Sequence, residues 1–243
     1  MRALGVIQAR GGSKRLPRKN VMKLNGVPLI AYAVRAAAAA SSLDRVIVST
    51  EDDEIAAIAR EYGGDVPFKR PLELAADYAD DESIIEHALT FCEQQDGAPY
   101  DVVVKLHPTT PFLQPDHIDA CVERLRREPE VNCCFTVSHV TEPPQWMFLP
   151  ASDDGEPTLM LGGKIDGERS HTQLLDRVLI PNGGAYAIRV SAFREQRRVF
   201  SDPLRLVVMD EAHSVDIDTE LDFMFAEAVG RKYEFTPIET SRK

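Results

Sequence analysis

Five cationic side chains, Arg10, Lys14, Arg15, Arg18 and Lys19, fall within ten positions of the segment Gln8-Ala9-Arg10-Gly11-Gly12-Ser13-Lys14-Arg15-Leu16-Pro17-Arg18-Lys19-Asn20. Glycines at 11 and 12 let the backbone come close to a ligand and turn N–H groups towards it. Backbone donors, point charges from lysine and forked donors from arginine are what phosphate recognition needs. The spacing is neither the G-x-x-x-x-G-K-[ST] of a Walker loop nor the G-x-G-x-x-G of a dinucleotide fold. A solvated basic loop is the plainer use of the same composition. Near the other end stands Ser214-Val215-Asp216-Ile217-Asp218. On an extended segment Asp216 and Asp218 point to one face and can hold a divalent ion that bridges phosphates. The plainer use of Asp218 is to cap the helix that follows.

Two further stretches carry weaker signals. His107-Pro108-Thr109-Thr110-Pro111 follows an apolar run, and its prolines set a rigid turn. Asn182-Gly183-Gly184-Ala185-Tyr186 reads by itself as a turn into a strand. His87 falls on an apolar helix face and reads as structural. His213 either positions the aspartate pair or is a turn residue. Cys92, Cys121, Cys133 and Cys134 show no metal-ligand spacing and read as small buried hydrophobes.

The elements that must position these residues follow from periodicity. Strands are expected at Leu4–Gln8, Arg45–Ser49, Asp65–Phe68, Val102–Leu106, Val131–Ser138, Gly184–Arg189 and Leu204–Met209. Helices are expected at Leu29–Ala40, Asp52–Tyr62, Asp81–Gln95, Pro115–Arg127 and Thr219–Gly230. Strands alternate with helices to about residue 138. This predicts an α/β fold, a Rossmann-like, mostly parallel sheet with helices on both faces. Ligands of such sheets sit beyond the carboxyl ends of the strands, so residues 9–20 and 107–111 should share one mouth. Residues 139–178 lack periodicity and read as an inserted functional stretch or interaction arm within a single domain of residues 1–243.

Bulk composition narrows the function. The chain of 243 residues is 44% hydrophobic, enough for a sizeable core. Its net charge is -11, yet residues 1–43 carry eight basic side chains and no acidic one. An acidic protein with one basic loop is a poor nucleic-acid binder and a plausible binder of one small polyanion. No apolar run approaches a membrane span, and the charged opening does not read as a signal peptide, so the cytoplasm is the expected compartment.

Read in order, Ala9–Asn20, Val48–Ile55, Arg70–Asp77, Pro108–Pro111, Asn182–Tyr186 and His213–Asp218 carry A-R-G-G-S-K-x-x-P-x-K-N, V-S-T-x-D-x-E-I, R-P-x-E-L-A-x-D, P-T-x-P, N-G-x-x-Y and H-S-V-D-I-D. The chain resembles the acylneuraminate cytidylyltransferases (CMP-sialic acid synthetases) over nearly its whole length. The resemblance implies a nucleotide-diphospho-sugar transferase fold with a dimerisation arm. It also implies a Mg²⁺-dependent transfer of CMP from CTP to an acidic sugar, with release of pyrophosphate. It places Ala9, Arg10, Gly11, Gly12, Ser13, Lys14, Lys19, Asn20, Arg70 and Asp77 around the nucleotide. It puts Mg²⁺ on Asp216 and Asp218, and His107, Thr109, Gln173, Asn182 and Tyr186 at the acceptor. Arg10 and Lys19 would neutralise phosphate charge, and Asp216 would also serve as a general base through a bound water. A homodimer with composite acceptor sites is implied as well, with Trp146 either at the dimer contact or over the acceptor.

Departures from the family pattern cluster on the acceptor side. Thr172 and Ile180 stand where relatives carry arginine, and Arg169 or Arg177 would have to substitute. His107 replaces a glutamine, and a serine is replaced near Asp81. The acceptor is therefore open between sialic acid, other nonulosonic or ulosonic acids, and a non-sugar acid such as a phosphonate. A CTP-binding relative without catalysis is the reading from another class.

Overall fold

The computed structural model describes residues 1–150, 155–163, 165 and 171–239. Arg169 lies outside the described residues. Six strands form the main sheet: β1 (Ala3–Gln8), β4 (Arg45–Ser49), β5 (Val102–Leu106), β6 (Cys133–His139), β9 (Leu179–Arg189) and β10 (Leu204–Val208). Their order is β10-β6-β9-β5-β1-β4. β1 pairs parallel with both β4 and β5, and β10 pairs parallel with β6. β9 runs antiparallel to β5, an exception that the apolar pattern does not reveal.

β1 and β5 are near-continuous apolar runs because both of their faces are covered. Ala3, Ile7, Val102, Val104 and Leu106 join one cluster with residues of α1 (Leu29–Ala39), α2 (Asp53–Glu61) and α4 (Pro115–Arg127). The alternate residues Leu4, Val6 and Val103 are equally buried and face the other way. α3 (Asp81–Asp96) lies against β1 and β5 and buries Ile85, Ala88, Leu89 and Cys92. Lys105 shares the parity of Val103, so this lysine points to the α3 side.

Most expected elements hold to within two residues. Asp52 and Thr219 are N-caps, of α2 and of α6 (Glu220–Lys232), rather than first helical residues. The expected strand Asp65–Phe68 is reduced to one bridge between Asp65 and Ile47, beside Pro67, which has no N–H to donate. α5 (Val190–Gln196) was not expected. Nor was the hairpin of β2 (Lys23–Leu24) and β3 (Val27–Pro28), whose Asn25 and Gly26 both have positive φ.

The chain divides into two compact units, residues 1–137 with 181–243, and residues 138–180. The smaller holds the two-stranded sheet β7 (Phe148–Leu149) with β8 (Thr158–Leu159). It leaves Phe148, Leu149, Leu161 and Leu174 more than half exposed.

Candidate active site

Within the larger unit a cleft of about 380 Å³ opens beyond the carboxyl ends of β1 and β5. The loop after β1 forms one wall. Arg10, Lys14, Arg15 and Lys19 line it, while Arg18 does not. Arg18 has the left-handed φ of 59° and turns to α2, where it binds Asp52 and Glu54. Asp52 also caps α2 by accepting from the N–H groups of Glu54 and Ile55. The hydrogen bond from Arg18 is the main cause that holds the Asp52 carboxyl below its ordinary pKa. Gly11 is required by this anchor, because a Cβ there would lie 2.6 Å from Asp52 Oδ2. Its N–H donates to Glu51 Oε1 at 2.7 Å. Gly12 has open space around it. Ala9 donates to the carbonyl of Ser49 and is fully buried.

The cleft cations are held by carboxylates of the protein. Asp77 receives Arg10 at 3.2 Å and Lys14 at 2.7 Å. Asp218 receives Arg15 at 2.9 Å and Lys19 at 3.4 Å. Lys19 is buried and also donates to the Ile217 carbonyl at 2.5 Å, which ties the first motif to the last. Arg70 donates to Ser49 through its side-chain hydroxyl and its carbonyl. Burial pulls the Arg70 guanidinium down to about 10, still a cation at neutral pH. Ser13 also lines the cleft. Two lining amides keep orphan atoms: Gln8 Nε2 and Asn20 Oδ1 are buried without a partner. Buried polar atoms rarely stay so, and a ligand in the cleft would satisfy them.

Asp216 and Asp218 reach the cleft because the Ile217 N–H donates to the Thr109 carbonyl at 2.9 Å. That bond joins the aspartate segment to the turn after β5. Asp216 opens to solvent at the cleft mouth. Partial desolvation raises its pKa and the Asp218 charge adds to this, while a hydrogen bond from the Thr109 hydroxyl opposes it. Gly183, with φ 75°, packs close by: a Cβ there would lie 3.0 Å from Thr110 Oγ1 and 3.4 Å from Asp216 Oδ2. Among the described residues no three or more His, Cys, Asp or Glu side chains gather to cage a metal. Two carboxylates nonetheless suit Mg²⁺, which usually keeps waters and completes its shell with substrate phosphates.

Towards α3 the cleft is lined by Asp81 and His107. Behind them Lys105 donates to Asp81 Oδ2 at 2.5 Å, and its ammonium lies 4.7 Å from the centre of the Tyr186 ring. Lys105 and Tyr186 are register partners on β5 and β9. Tyr186 is buried and stacked on Phe135, and burial pushes its hydroxyl up to about 12. Desolvation, helped by the Lys105 charge, holds His107 well below its ordinary pKa, so it is neutral at pH 7.

The cleft thus gathers Arg10, Ser13, Lys14, Lys19, Asn20, Arg70, Asp77, His107, Thr109, Asp216 and Asp218. Asn182 sits apart, with both amide atoms spent on the protein. Its Oδ1 accepts from Thr136 at 2.7 Å, and its Nδ2 donates to Ser214 Oγ at 3.0 Å. It holds the stretch of β9 that carries Gly183, a strand residue rather than part of the turn expected before Gly184. Gln173 is an exposed residue of the smaller unit, which also holds Arg177 and Ile180. The sequence reading gave no site role to Gln8, Glu51, Asp52 or the Lys105–Asp81 pair. A lone lysine within V-V-V-K-L, at the carboxyl end of a buried strand, was the available signal.

A family model described as cytidylyltransferase matches residues 4–218. The CMP-N,N'-diacetyllegionaminic acid synthase of Legionella pneumophila is 33% identical over 93% of this chain and 95% of its own length. The pseudaminic acid cytidylyltransferase of Campylobacter jejuni is 30% identical over 93% and 95%. The solved CMP:2-keto-3-deoxy-manno-octonic acid synthetase, complexed with CTP, shares the fold with a TM-score of 0.68 at 17% identity, over 96% of this chain and all of that one. With a family model spanning both the cationic loop and the aspartate pair, the chain belongs to the cytidylyltransferase family.

Proposed function

We propose that the protein transfers CMP from CTP to an acidic sugar of the nonulosonic or ulosonic class and releases pyrophosphate. One observation carries this: the cationic loop and the Asp216–Asp218 pair face a single cleft at the ends of β1 and β5. The relatives named for legionaminic and pseudaminic acids support the acceptor class. A triphosphate would take over Arg10, Lys14 and Lys19 from Asp77 and Asp218. Gln8, Asn20 and Arg70 lie where the nucleoside can be held. Thr109 orients Asp216, the candidate base at the attacking hydroxyl. Attack at the α-phosphorus needs little covalent work from the protein beyond positioning and charge stabilisation. Asp216 and Asp218 would hold Mg²⁺, which when bound offsets phosphate charge.

The smaller unit, with its exposed apolar side chains, is read as an arm that seats against a second copy. No described helix is long and apolar enough to cross a membrane, and the cytoplasm, where CTP is made, is the proposed site of action.

The test is pyrophosphate release with Mg²⁺ and CTP. Acceptors are N-acetylneuraminic, legionaminic, pseudaminic and 3-deoxy-octulosonic acids and simple phosphonates, with products weighed by mass spectrometry. A product one CMP unit heavier than a sugar acid supports the reading. Turnover of phosphonates alone moves the acceptor out of the sugars. CTP binding without any release points to a non-catalytic relative.

A further inference from the structure

Lys105 is 5% exposed, lies in an otherwise apolar strand and is given one carboxylate, Asp81. A buried ammonium loses its solvation unless it is paired, so the chain has reason to fix Asp81 here. The aromatic face of Tyr186, held opposite by strand register, steadies the same cation. Lys105 itself does not line the cleft, but its partner does. Asp81 spends Oδ2 on Lys105, and among the described residues no donor reaches Oδ1. The cleft therefore presents, beside neutral His107, one carboxylate oxygen acceptor pre-oriented by Lys105.

Resting on the transfer reading above, we infer that Asp81, set in place by Lys105, selects the acceptor by taking hydrogen bonds from its hydroxyl or amide N–H groups. A fixed carboxylate repels the acid group of the acceptor, so that group docks elsewhere and the sugar has one orientation. Hydrogen bonds to a charged group are the strong ones, and a site built around one rejects analogues that lack the donor. Asp81 touches the acceptor, and Lys105 is a positioning residue that acts through it.

The experiment uses the acceptor that the wild-type enzyme turns over. The variants are Lys105→Met, Lys105→Arg and the double substitution Asp81→Ser with Lys105→Leu. The double change removes both charges together and so leaves no unpaired ion in the core. The acceptor kcat/KM should fall about tenfold or more in Lys105→Met and in the double variant, while the KM for CTP stays within about twofold. Lys105→Arg should restore part of the loss. Deoxy and de-N-acyl acceptors should lose about tenfold with the wild type at one position, and little at that position with the double variant. Equal changes in the CTP and acceptor constants, or none, overturn the assignment. Should the variants not fold, the wild-type analogue series decides alone: no single missing hydroxyl or amide costing more than about twofold would sink it. Absence of turnover with every acid defeats the transfer reading and this inference with it. Turnover that the variants do not alter defeats this inference only.

Discussion

Lys19 serves both ends of the chain. Its buried ammonium donates to the Ile217 carbonyl and pairs with Asp218, so it sets the distance between loop and aspartates. Lys19→Met should cut kcat/KM by about a hundredfold or more, because one donor aimed at developing phosphate charge is worth that much. Steady-state pyrophosphate release checks it, and a loss under tenfold would remove Lys19 from the charge-stabilising role. Gly183 is a different kind of residue, chosen for what it lacks. Its φ of 75° strains any side chain, and a Cβ there would press on Thr110 Oγ1 at 3.0 Å while meeting Asp216 Oδ2 in ordinary contact at 3.4 Å. Gly183→Ala should cost about 1–2 kcal/mol of stability in chemical denaturation. Turnover should fall as well, because relief of the backbone strain and of the Thr110 contact shifts β9 where it touches Asp216. Unchanged kcat in a destabilised variant would separate this stretch of β9 from the chemistry.

Among the elements, α2 and the cationic loop form one mechanical piece. Asp52 caps the helix and anchors Arg18, which ties the cationic loop to α2. Asp52→Ala should destabilise the fold by about 1–2 kcal/mol through the lost cap. It should also weaken CTP binding by loosening the loop, as calorimetry would show. The pH dependence has a definite sign. The folded-state pKa of Asp52 is lowered, so its contribution is complete above the ordinary carboxylate pKa of about 4 and is lost as pH falls through the folded value. The stability gap between wild type and variant should therefore narrow in acid. A gap that widens below pH 4 would contradict the Arg18–Asp52 anchor.

At the scale of the whole molecule, charge and apolar surface are both unevenly spread. The net charge is -11, yet the longest stretch without an acidic residue is the opening that carries the loop. That pattern keeps polyanions away from most of the surface and admits a small one at the cleft. Residues 138–180 form a small unit with large exposed apolar side chains, a surface that monomers rarely leave uncovered. In solution the protein should behave as a dimer, with twice the chain mass of 27.0 kDa by light scattering at low micromolar concentration. Substituting Phe148 and Leu161 by aspartate should shift it towards monomer. A mass of one chain for the wild type would rule the arm out as a dimer contact.

Strands β4 and β5 and helix α4 were legible in the sequence to the residue, because the strands are short apolar runs and the helix has one clean apolar period, with proline or charged residues at or near their ends. The cleft lining at Arg10, Lys19 and Asp216 was legible as well, since phosphate chemistry demands cations, glycines and carboxylates in recognisable runs. The Asn25-Gly26 hairpin was present in the letters but too short to show a period. Other features depend on contacts between distant segments. The antiparallel run of β9, the turning away of Arg18, the withdrawal of Asn182 into the fold and the Lys105–Asp81 pair arise between residues from 24 to 87 positions apart. Local sequence sets what each segment can become; only the packed sheet decides which side chains face the cleft and which are spent on holding it.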